Sequence, residues 1–125
     1  MELSGTDQMQ FDKKELTVTE GDNVTLKFKH TGKLPELAMG HNVVILKPGS
    51  PLPVFSAEAA KAKDNDYIPQ DEKSKAMMVT HTEMLGGGEE TEITFVAPAA
   101  GEYPYLCTFP GHFALMNGKL IVKAK

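Results

Sequence analysis

The chain has a single cysteine, Cys107, and no tryptophan among its 125 residues. One cysteine excludes an internal disulfide, which leaves Cys107 as buried apolar filling, a nucleophile or a metal ligand. No apolar run approaches the roughly 18–20 residues that a membrane-spanning helix requires, so no membrane span is expected. Residues 1–5 lack the basic start and the apolar stretch of a signal peptide. This N-terminus predicts a cytoplasmic protein or a mature form.

Positive charge is also scarce in this sequence. Thirteen lysines, with no arginine, stand against seventeen acidic residues, giving a formal net charge of −4. That balance excludes the basic surface by which proteins bind nucleic acid. The length predicts one domain, residues 1–125, which can bury a core without disulfides or metals as staples. Methionine is abundant by contrast, and its seven residues predict soft core packing or soft metal ligation.

The apolar residues recur mostly with a period of two, as in half-buried β-strands. Val24, Leu26 and Phe28 alternate with polar residues, and Ile93 and Phe95 flank Thr94 in the same way. Turn-forming stretches of glycine, proline, aspartate and asparagine separate these runs. The strand candidates are residues 16–18, 24–30, 42–46, 76–82, 93–95, 103–107 and 120–122. The pattern predicts an all-β Greek-key β-sandwich or barrel of seven to eight strands.

One segment departs from the period of two. Residues 55–63 are rich in alanine, and they predict one short inserted helix with Ser56 as its N-cap and Glu58 in its first turn. An irregular acidic loop, residues 64–72, is expected to follow it. Pro104 cannot donate to a strand ladder, so we place it at the start of the strand that leads to Cys107.

The segment most informative about function is Cys107-Thr-Phe-Pro-Gly-His112-Phe-Ala-Leu-Met116. It presents a thiol, an imidazole and a thioether within ten residues, and Pro110 and Gly111 tighten the loop so that the three can converge. Thiolate and thioether are soft ligands, and imidazole suits copper. A trigonal site of two histidines and one cysteine with a distant methionine is typical of electron-transfer copper centres. The site therefore needs a second histidine from elsewhere.

Three histidines remain for that position. His41 follows Gly40 and opens an apolar strand, where the carbonyl of a residue without a side chain can also approach a metal. This local context favours His41. The alternatives are His30, which ends an alternating strand as a core histidine would, and His81, which has the character of a surface histidine.

Residues 107–116 resemble the ligand loop of the azurins, a group of cupredoxins, in both composition and spacing. Residues 7–11, Leu34-Pro35, residues 39–42, His81-Thr82 and the glycine-rich turn extend the resemblance over nearly the whole chain. It implies a type 1 copper site with three equatorial ligands and two distant axial contacts. The equatorial atoms are His41 Nδ1, Cys107 Sγ and His112 Nδ1, and the axial contacts are Met116 sulfur and the Gly40 carbonyl. Residues implied to support them are Asn42, Thr108 and Phe109, with Asn42 and Phe109 donating backbone N–H groups to the thiolate.

The same resemblance implies a blue copper electron-transfer protein that cycles one ion between Cu(II) and Cu(I). The electron would enter and leave near the edge of His112, within an apolar patch that binds redox proteins transiently. The patch positions are Met9, Leu34, Met39, Phe109, Pro110, Ala114 and Leu115. The resemblance further implies a periplasmic protein, a monomer or a weak dimer, in which zinc can replace copper in recombinant preparations.

The sequence also departs from the azurins and leaves other functions open. Azurins usually have a disulfide, but Leu3 and the turn at residues 20–23 lie where its cysteines are expected, and Val43 replaces a buried tryptophan. One alternative is a copper-storage or scaffold protein with the same ligands. Another is the copper domain of a redox enzyme, although Cys107 has no neighbouring histidine to connect it to a second centre. A Cys107–His112 nucleophile would lack an orienting acid.

Overall fold

The computed structural model describes residues 1–125 and contains eight β-strands in two sheets. The smaller sheet has the order β1-β3-β6, and the larger has the order β2-β8-β7-β4-β5. The pairs β1–β3 and β2–β8 are parallel, and the other pairs are antiparallel. The strands are β1 Glu2–Gly5, β2 Glu15–Thr19, β3 Asn23–His30, β4 Val44–Leu46, β5 Met78–His81, β6 Glu90–Val96, β7 Gly101–Leu106 and β8 Asn117–Lys123.

Strand β3 shows how the alternating sequence produces the sandwich. Its eight residues are exposed and buried in strict alternation, so Val24, Leu26, Phe28 and His30 all point inward. Successive side chains of a strand point to opposite faces, and this pattern therefore gives the strand one solvent-exposed face and one buried face. The all-β sandwich predicted from the period of two is confirmed.

The main core lies between the two sheets and runs toward Cys107. Leu26, Phe28, Tyr105 and Leu120 are fully buried in it, and each such side chain contributes on the order of 1.5–3 kcal/mol relative to exposure. Cys107 and Met116 belong to the same apolar cluster. The side chains implied as ligands therefore lie in the packed interior and not on a mobile surface loop.

The predicted inserted helix is confirmed, but it begins and ends three residues earlier than residues 55–63, and it is accompanied by two further short helices. Three short α-helices are present, α1 Glu36–Met39, α2 Leu52–Ala60 and α3 Glu72–Met77, with a 3₁₀ turn at Lys63–Asn65. Helix α2 begins earlier than predicted because Pro53 lies in its first turn, where a missing N–H costs nothing. Ser56 is buried inside this helix and is not its N-cap. None of these helices is long and apolar enough to cross a membrane.

The predicted acidic loop at 64–72 and the predicted strand at 76–82 also differ from the structure. Asp71 caps helix α3 by accepting a hydrogen bond of 3.0 Å from the Ser74 amide, so helix occupies Glu72–Met77. The strand is consequently shorter, Met78–His81. The helical insertion covers the outer face of β4 and β7, where it builds a second apolar cluster of Val44, Leu46, Phe55, Ile68 and Leu106.

Two further strand details correct the sequence prediction. Pro104 lies inside β7 and not at its start, opposite Lys119 of β8. Strand β4 pairs only with Tyr105 and Leu106, so its ladder stops just before the proline and loses no bond there. Strand β1 was not among the predicted segments, because its four residues carry only Leu3 as an apolar marker.

Candidate metal centre

Three side chains with metal-ligand atoms converge at one end of the sandwich. His41, Cys107 and His112 are all buried, and their ligand atoms lie within 4.8 Å of one another. The thiol sulfur of Cys107 is 3.7 Å from Nδ1 of His112 and 4.0 Å from Nδ1 of His41. Cys107 directly follows β7, His112 lies in the next loop, and His41 precedes β4.

Met116 and Gly40 complete this group of donors. The buried Met116 receives the Cys107 amide on its carbonyl at 3.1 Å, and its own amide donates to the His112 carbonyl at 2.8 Å. The carbonyl oxygen of Gly40 is 3.7 Å from the Cys107 sulfur. A Cβ on Gly40 would lie 2.9 Å from the Phe109 ring, so this backbone approaches closely only because the residue is glycine.

Gly5 is part of the site, although no motif or pattern pointed to it. A Cβ at this position would lie 2.9 Å from Cδ2 of His41 and 3.1 Å from Cε of Met116. The imidazole and the thioether therefore meet over the bare backbone at the end of β1. Only the folded structure could reveal this contact, because Gly5 is distant in sequence from both side chains.

The loop after Cys107 folds back on itself through backbone hydrogen bonds. The His112 amide donates to the Phe109 carbonyl at 3.0 Å, and the Leu115 amide donates to the His112 carbonyl at 3.1 Å. Between them, Gly111 has a φ of +84°, a left-handed conformation that glycine adopts without strain. These turns bring the thiol, the imidazole and the thioether of one short segment to the same point.

His41 is oriented by its second ring nitrogen. Its Nε2 donates to the Thr6 carbonyl at 2.6 Å, which leaves Nδ1 with its lone pair toward Cys107. The His41 main chain exchanges two hydrogen bonds with Leu85, of 3.0 and 2.8 Å. The ring therefore has a fixed tautomer and a fixed position.

The other two histidines lie outside the convergence point. His30 stacks on His41 with ring centroids 4.2 Å apart, and both of its nitrogens have partners. Its Nε2 donates to the Met39 carbonyl at 2.7 Å, and its Nδ1 accepts from the Gly32 amide at 3.1 Å. His81 is exposed, and its Nδ1 donates to the Thr82 carbonyl at 2.9 Å. Of the three candidates, only His41 is brought to Cys107 and His112.

Asn42 and Thr108 connect the two segments that bear the histidines and the cysteine. Asn42 Nδ2 donates to Thr108 Oγ1, and the Thr108 amide donates to Asn42 Oδ1, both at 2.8 Å. Both residues are fully buried. Reciprocal hydrogen bonds in a dry interior fix the separation between residues 42 and 108, and with it the separation of the neighbouring side chains.

The electrostatics of the site favour neutral imidazoles and oppose a free thiolate. Burial raises the pKa of Cys107 to about 12, although backbone N–H groups of Asn42 and Phe109 act in the opposite direction. Burial, aided by the charge of His41, lowers the pKa of His112 to about 4. Burial also lowers the pKa of His41. Neutral imidazoles keep their lone pairs for a metal, and a bound cation deprotonates the thiol.

This donor set fits copper. Two imidazole nitrogens and a thiol surround one point, with a thioether and a carbonyl close by. Soft sulfur with imidazole suits copper, while the same nitrogen and sulfur atoms are also accepted by zinc.

The edge of His112 reaches the surface. Every fully buried side-chain nitrogen or oxygen atom in the structure has a hydrogen-bond partner, whereas Nε2 of His112 has no protein partner. This atom is therefore not fully buried, and it contacts solvent. The Phe109 ring lies 4.6 Å from the His112 ring, and the Tyr67 ring lies 5.6 Å from Phe109 at its edge. A row of three rings thus runs outward from the site.

The predicted patch residues differ in exposure. Leu34, Pro110, Ala114 and Leu115 are exposed, whereas Met9, Met39 and Phe109 are half-buried. Two residues beside them were missed. Leu37 on α1 is 83% exposed, the largest value among the large apolar side chains, and Tyr67 packs on Phe109. No sequence pattern pointed to Leu37, because the helix that carries it has only four residues.

Known proteins resemble this chain in sequence. The sequence profile of the copper-binding proteins of the plastocyanin/azurin family matches residues 1–123. Azurin-1 of Alcaligenes xylosoxydans xylosoxydans is 44% identical over 124 residues, which cover 96% of this chain and 94% of that protein. Outer membrane protein H.8 of Neisseria meningitidis serogroup B is 43% identical, and the match covers 94% of this chain but 64% of that protein.

Solved structures of related proteins also resemble this chain in fold. Auracyanin A of Chloroflexus aurantiacus, described as a "blue" copper protein, superposes with a TM-score of 0.88 and 36% identity, covering 98% of this chain and 97% of that one. The azurin Az-iso2 of Methylomonas sp. strain J gives a TM-score of 0.84 and 30% identity, with coverage of 98% and 96%. The chain therefore belongs to the plastocyanin/azurin family of copper-binding proteins, and it is a blue copper electron-transfer protein that takes one copper ion.

Proposed function

We propose that Cys107 Sγ and the Nδ1 atoms of His41 and His112 are the three strong ligands of the copper ion. Met116 sulfur and the Gly40 carbonyl would be the two weaker contacts of the bound ion. The observation that carries this assignment is the convergence of the three ligand atoms within 4.8 Å. Bound copper supplies a one-electron couple between Cu(II) and Cu(I).

The protein holds these side chains in one geometry for both oxidation states. The Thr6 carbonyl fixes the His41 ring, and the Asn42–Thr108 pair fixes the distance between the two ligand segments. Ligands held by their own packing and hydrogen bonds move little when the charge of the metal changes. Small movement keeps the reorganisation that accompanies electron transfer small.

The electron enters and leaves at the exposed edge of His112. Around it lie the exposed apolar residues Leu34, Pro110, Ala114 and Leu115, which bind a redox partner weakly and briefly. Fast turnover requires such a weak complex, and the free protein is then a monomer or a weak dimer. A periplasmic location is supported by the likeness to azurins.

The ligand assignment is tested by adding Cu(II) to metal-free protein, stripped of any zinc, and recording its visible spectrum. We expect an intense thiolate-to-copper band that bleaches on reduction and returns on oxidation. Cys107→Ser abolishes the band, while the surface variant His81→Ala retains it. A colourless wild-type protein, or a coloured Cys107→Ser variant, contradicts the assignment.

The electron exit is tested with a neutral change in the patch. Ala114→Gln places a polar amide beside the His112 edge, and we expect the rate constant for reduction by a reduced cytochrome c to fall by about tenfold. The matched control is Ala100→Gln, at the opposite end of β7 from Cys107. Equal rates in the two variants would contradict an exit at His112. Negligible rates in all forms would favour copper storage instead.

A further inference from the structure

The apolar surface around His112 borders a cavity of about 230 Å³ on the side of Phe109. Leu37, Tyr67, Met84 and Phe109 form its apolar walls. Because Phe109 lines the cavity and also packs on the His112 ring, the cavity lies next to the electron exit proposed above. A group seated in this cavity would therefore hold a partner beside the copper ligand.

Carboxylates gather at the mouth of this cavity. Glu36 and Asp66 line it, with Lys63 as the one cation among the lining residues. A Cβ on Gly86 would lie 2.9 Å from the Glu36 amide and 3.2 Å from Oε1 of Glu89, so these two acidic residues flank the same glycine. Partial burial and the charges of Asp66, Glu89 and Glu83 raise the pKa of Glu36, as expected for acidic groups held close together.

The ligand loop, on the other side of the exit, carries no charged residue. Residues 107–116 contain no acidic residue and no lysine or arginine. The surface is therefore asymmetric, apolar on the side of the ligand loop and acidic on the side of α1 and Asp66. Such a division orients a partner as well as binding it, because only one rotation matches both halves.

We propose, on the basis of the electron exit above, that this surface binds a redox protein whose cofactor edge is rimmed by lysine or arginine. One basic side chain of that partner enters the cavity, pairs with Glu36 and Asp66, and lies against the rings of Tyr67 and Phe109. One electron then leaves the reduced cofactor of the partner and reduces Cu(II) to Cu(I). No bond is formed or broken, and no proton moves.

Charge argues against a second copy of this chain as the occupant. The chain carries a formal net charge of −4, and two copies joined at this face would bring their acidic sides toward each other. Like charges brought together at an interface oppose association. An acidic partner is disfavoured for the same reason.

The test compares a cationic and an anionic electron donor in stopped-flow experiments on the copper-loaded protein. The cationic donor is a reduced cytochrome c of high isoelectric point, and the anionic donor is hexacyanoferrate(II). The variant is Glu36→Gln combined with Asp66→Asn, and Glu83→Gln is a second, exposed variant. Asp22→Asn is the matched control for Glu83→Gln, since each removes one charge and Asp22 lies at the far end of β3 from His30.

We expect the double variant to react about 3–10-fold more slowly with cytochrome c at low salt, and faster with hexacyanoferrate(II). Both differences should shrink at high salt, where the charges are screened. Glu83→Gln should change the rates with the two donors in the same directions as the double variant, but by a smaller factor. Asp22→Asn should change them least. A merely structural defect would move both donors the same way.

The outcomes separate this proposal from the electron exit. Slowing by Ala114→Gln without any effect of the carboxylate variants would overturn the basic partner and leave the exit at His112 in place. An effect of Asp22→Asn equal to that of Glu83→Gln would also overturn the basic partner, since net charge alone would then explain both. Unchanged rates in Ala114→Gln and the carboxylate variants would overturn both.

Discussion

Gly5 is the residue at which a single methyl group should disturb the metal site most directly. The position of its missing Cβ lies 2.9 Å from the His41 ring and 3.1 Å from the Met116 methyl group. We expect Gly5→Ala to weaken copper binding and shift the visible band, with overpacking that costs about 1–3 kcal/mol. Copper titration and thermal unfolding measure the two effects.

Gly101→Ala is the matched control for that substitution. Gly101 also lies at a strand end, but the nearest atom to its added Cβ is 3.6 Å away, an ordinary contact. If the two variants have the same copper affinity and the same thermal stability, the close approach at Gly5 does not support the ligands.

Met116 is a second position where one side chain controls the site. As a thioether it donates weakly to Cu(II), so its removal should favour Cu(I). We expect Met116→Leu to keep the colour and raise the reduction potential, measured by voltammetry. Met78→Leu makes the same exchange in the second apolar cluster and should leave the potential where it was. An unchanged potential in Met116→Leu would mean that the thioether is not a ligand.

At the level of elements, the loop between β7 and β8 depends on its connection to the segment before β4. Thr108 accepts the Asn42 side-chain amide in a fully buried place. Thr108→Val keeps the shape but leaves that donor unpaired, which should lower the free energy of unfolding by about 1–3 kcal/mol. Urea denaturation measures the loss.

Thr94→Val is the control for the loss of a hydroxyl in a strand. Thr94 contacts Thr25 at 3.3 Å on the exposed face of the small sheet, where water can replace the bond. We expect less than about 0.5 kcal/mol of change there. Equal decreases in the free energy of unfolding for Thr94→Val and Thr108→Val would show that the buried hydrogen bond stabilises the fold no more than the exposed one.

The elements also show what the sequence could and could not predict. Cys107, His112 and Met116 lie in one short loop, so their convergence is a local property. Strand β3 was predictable because each inward position is apolar or His30. Helices α1 and α3 have four and six residues, too few for a periodic signal, and they exist through capping and packing.

For the whole molecule, the buried imidazoles make the stability of the metal-free protein depend on pH. Burial lowers the pKa of His112 to about 4, below the usual value of 6.5. Between these values the unfolded chain binds a proton that the folded chain does not, so unfolding becomes easier as pH falls. We expect the thermal midpoint of the apoprotein to drop between pH 6.5 and pH 4. Differential scanning calorimetry measures it.

His112→Gln should flatten this pH dependence, because it removes a proton site that only the unfolded chain uses. His81→Gln, at an exposed histidine, should leave the slope as in the wild type. A wild-type midpoint that does not change over this range would mean that His112 titrates normally in the folded protein.

The whole-molecule features were predicted unevenly. The family-like loop and the period of two led to the right fold class, but the distribution of charge around His112 was not foreseen. Glu36, Asp66 and Glu89 come from three separate loops or short helices, and only the packed chain places them together. Tertiary neighbours of this kind leave no pattern in a linear sequence.

The first strand has a consequence for how the protein matures. Strand β1 pairs with β3, and its last residue and the next one, Gly5 and Thr6, contact or hydrogen-bond the His41 ring. A chain whose N-terminal strand has not yet docked lacks the carbonyl that selects the His41 tautomer. We therefore expect the visible absorbance to reach its full intensity only when this strand has docked, so that the colour reports on the last stage of folding.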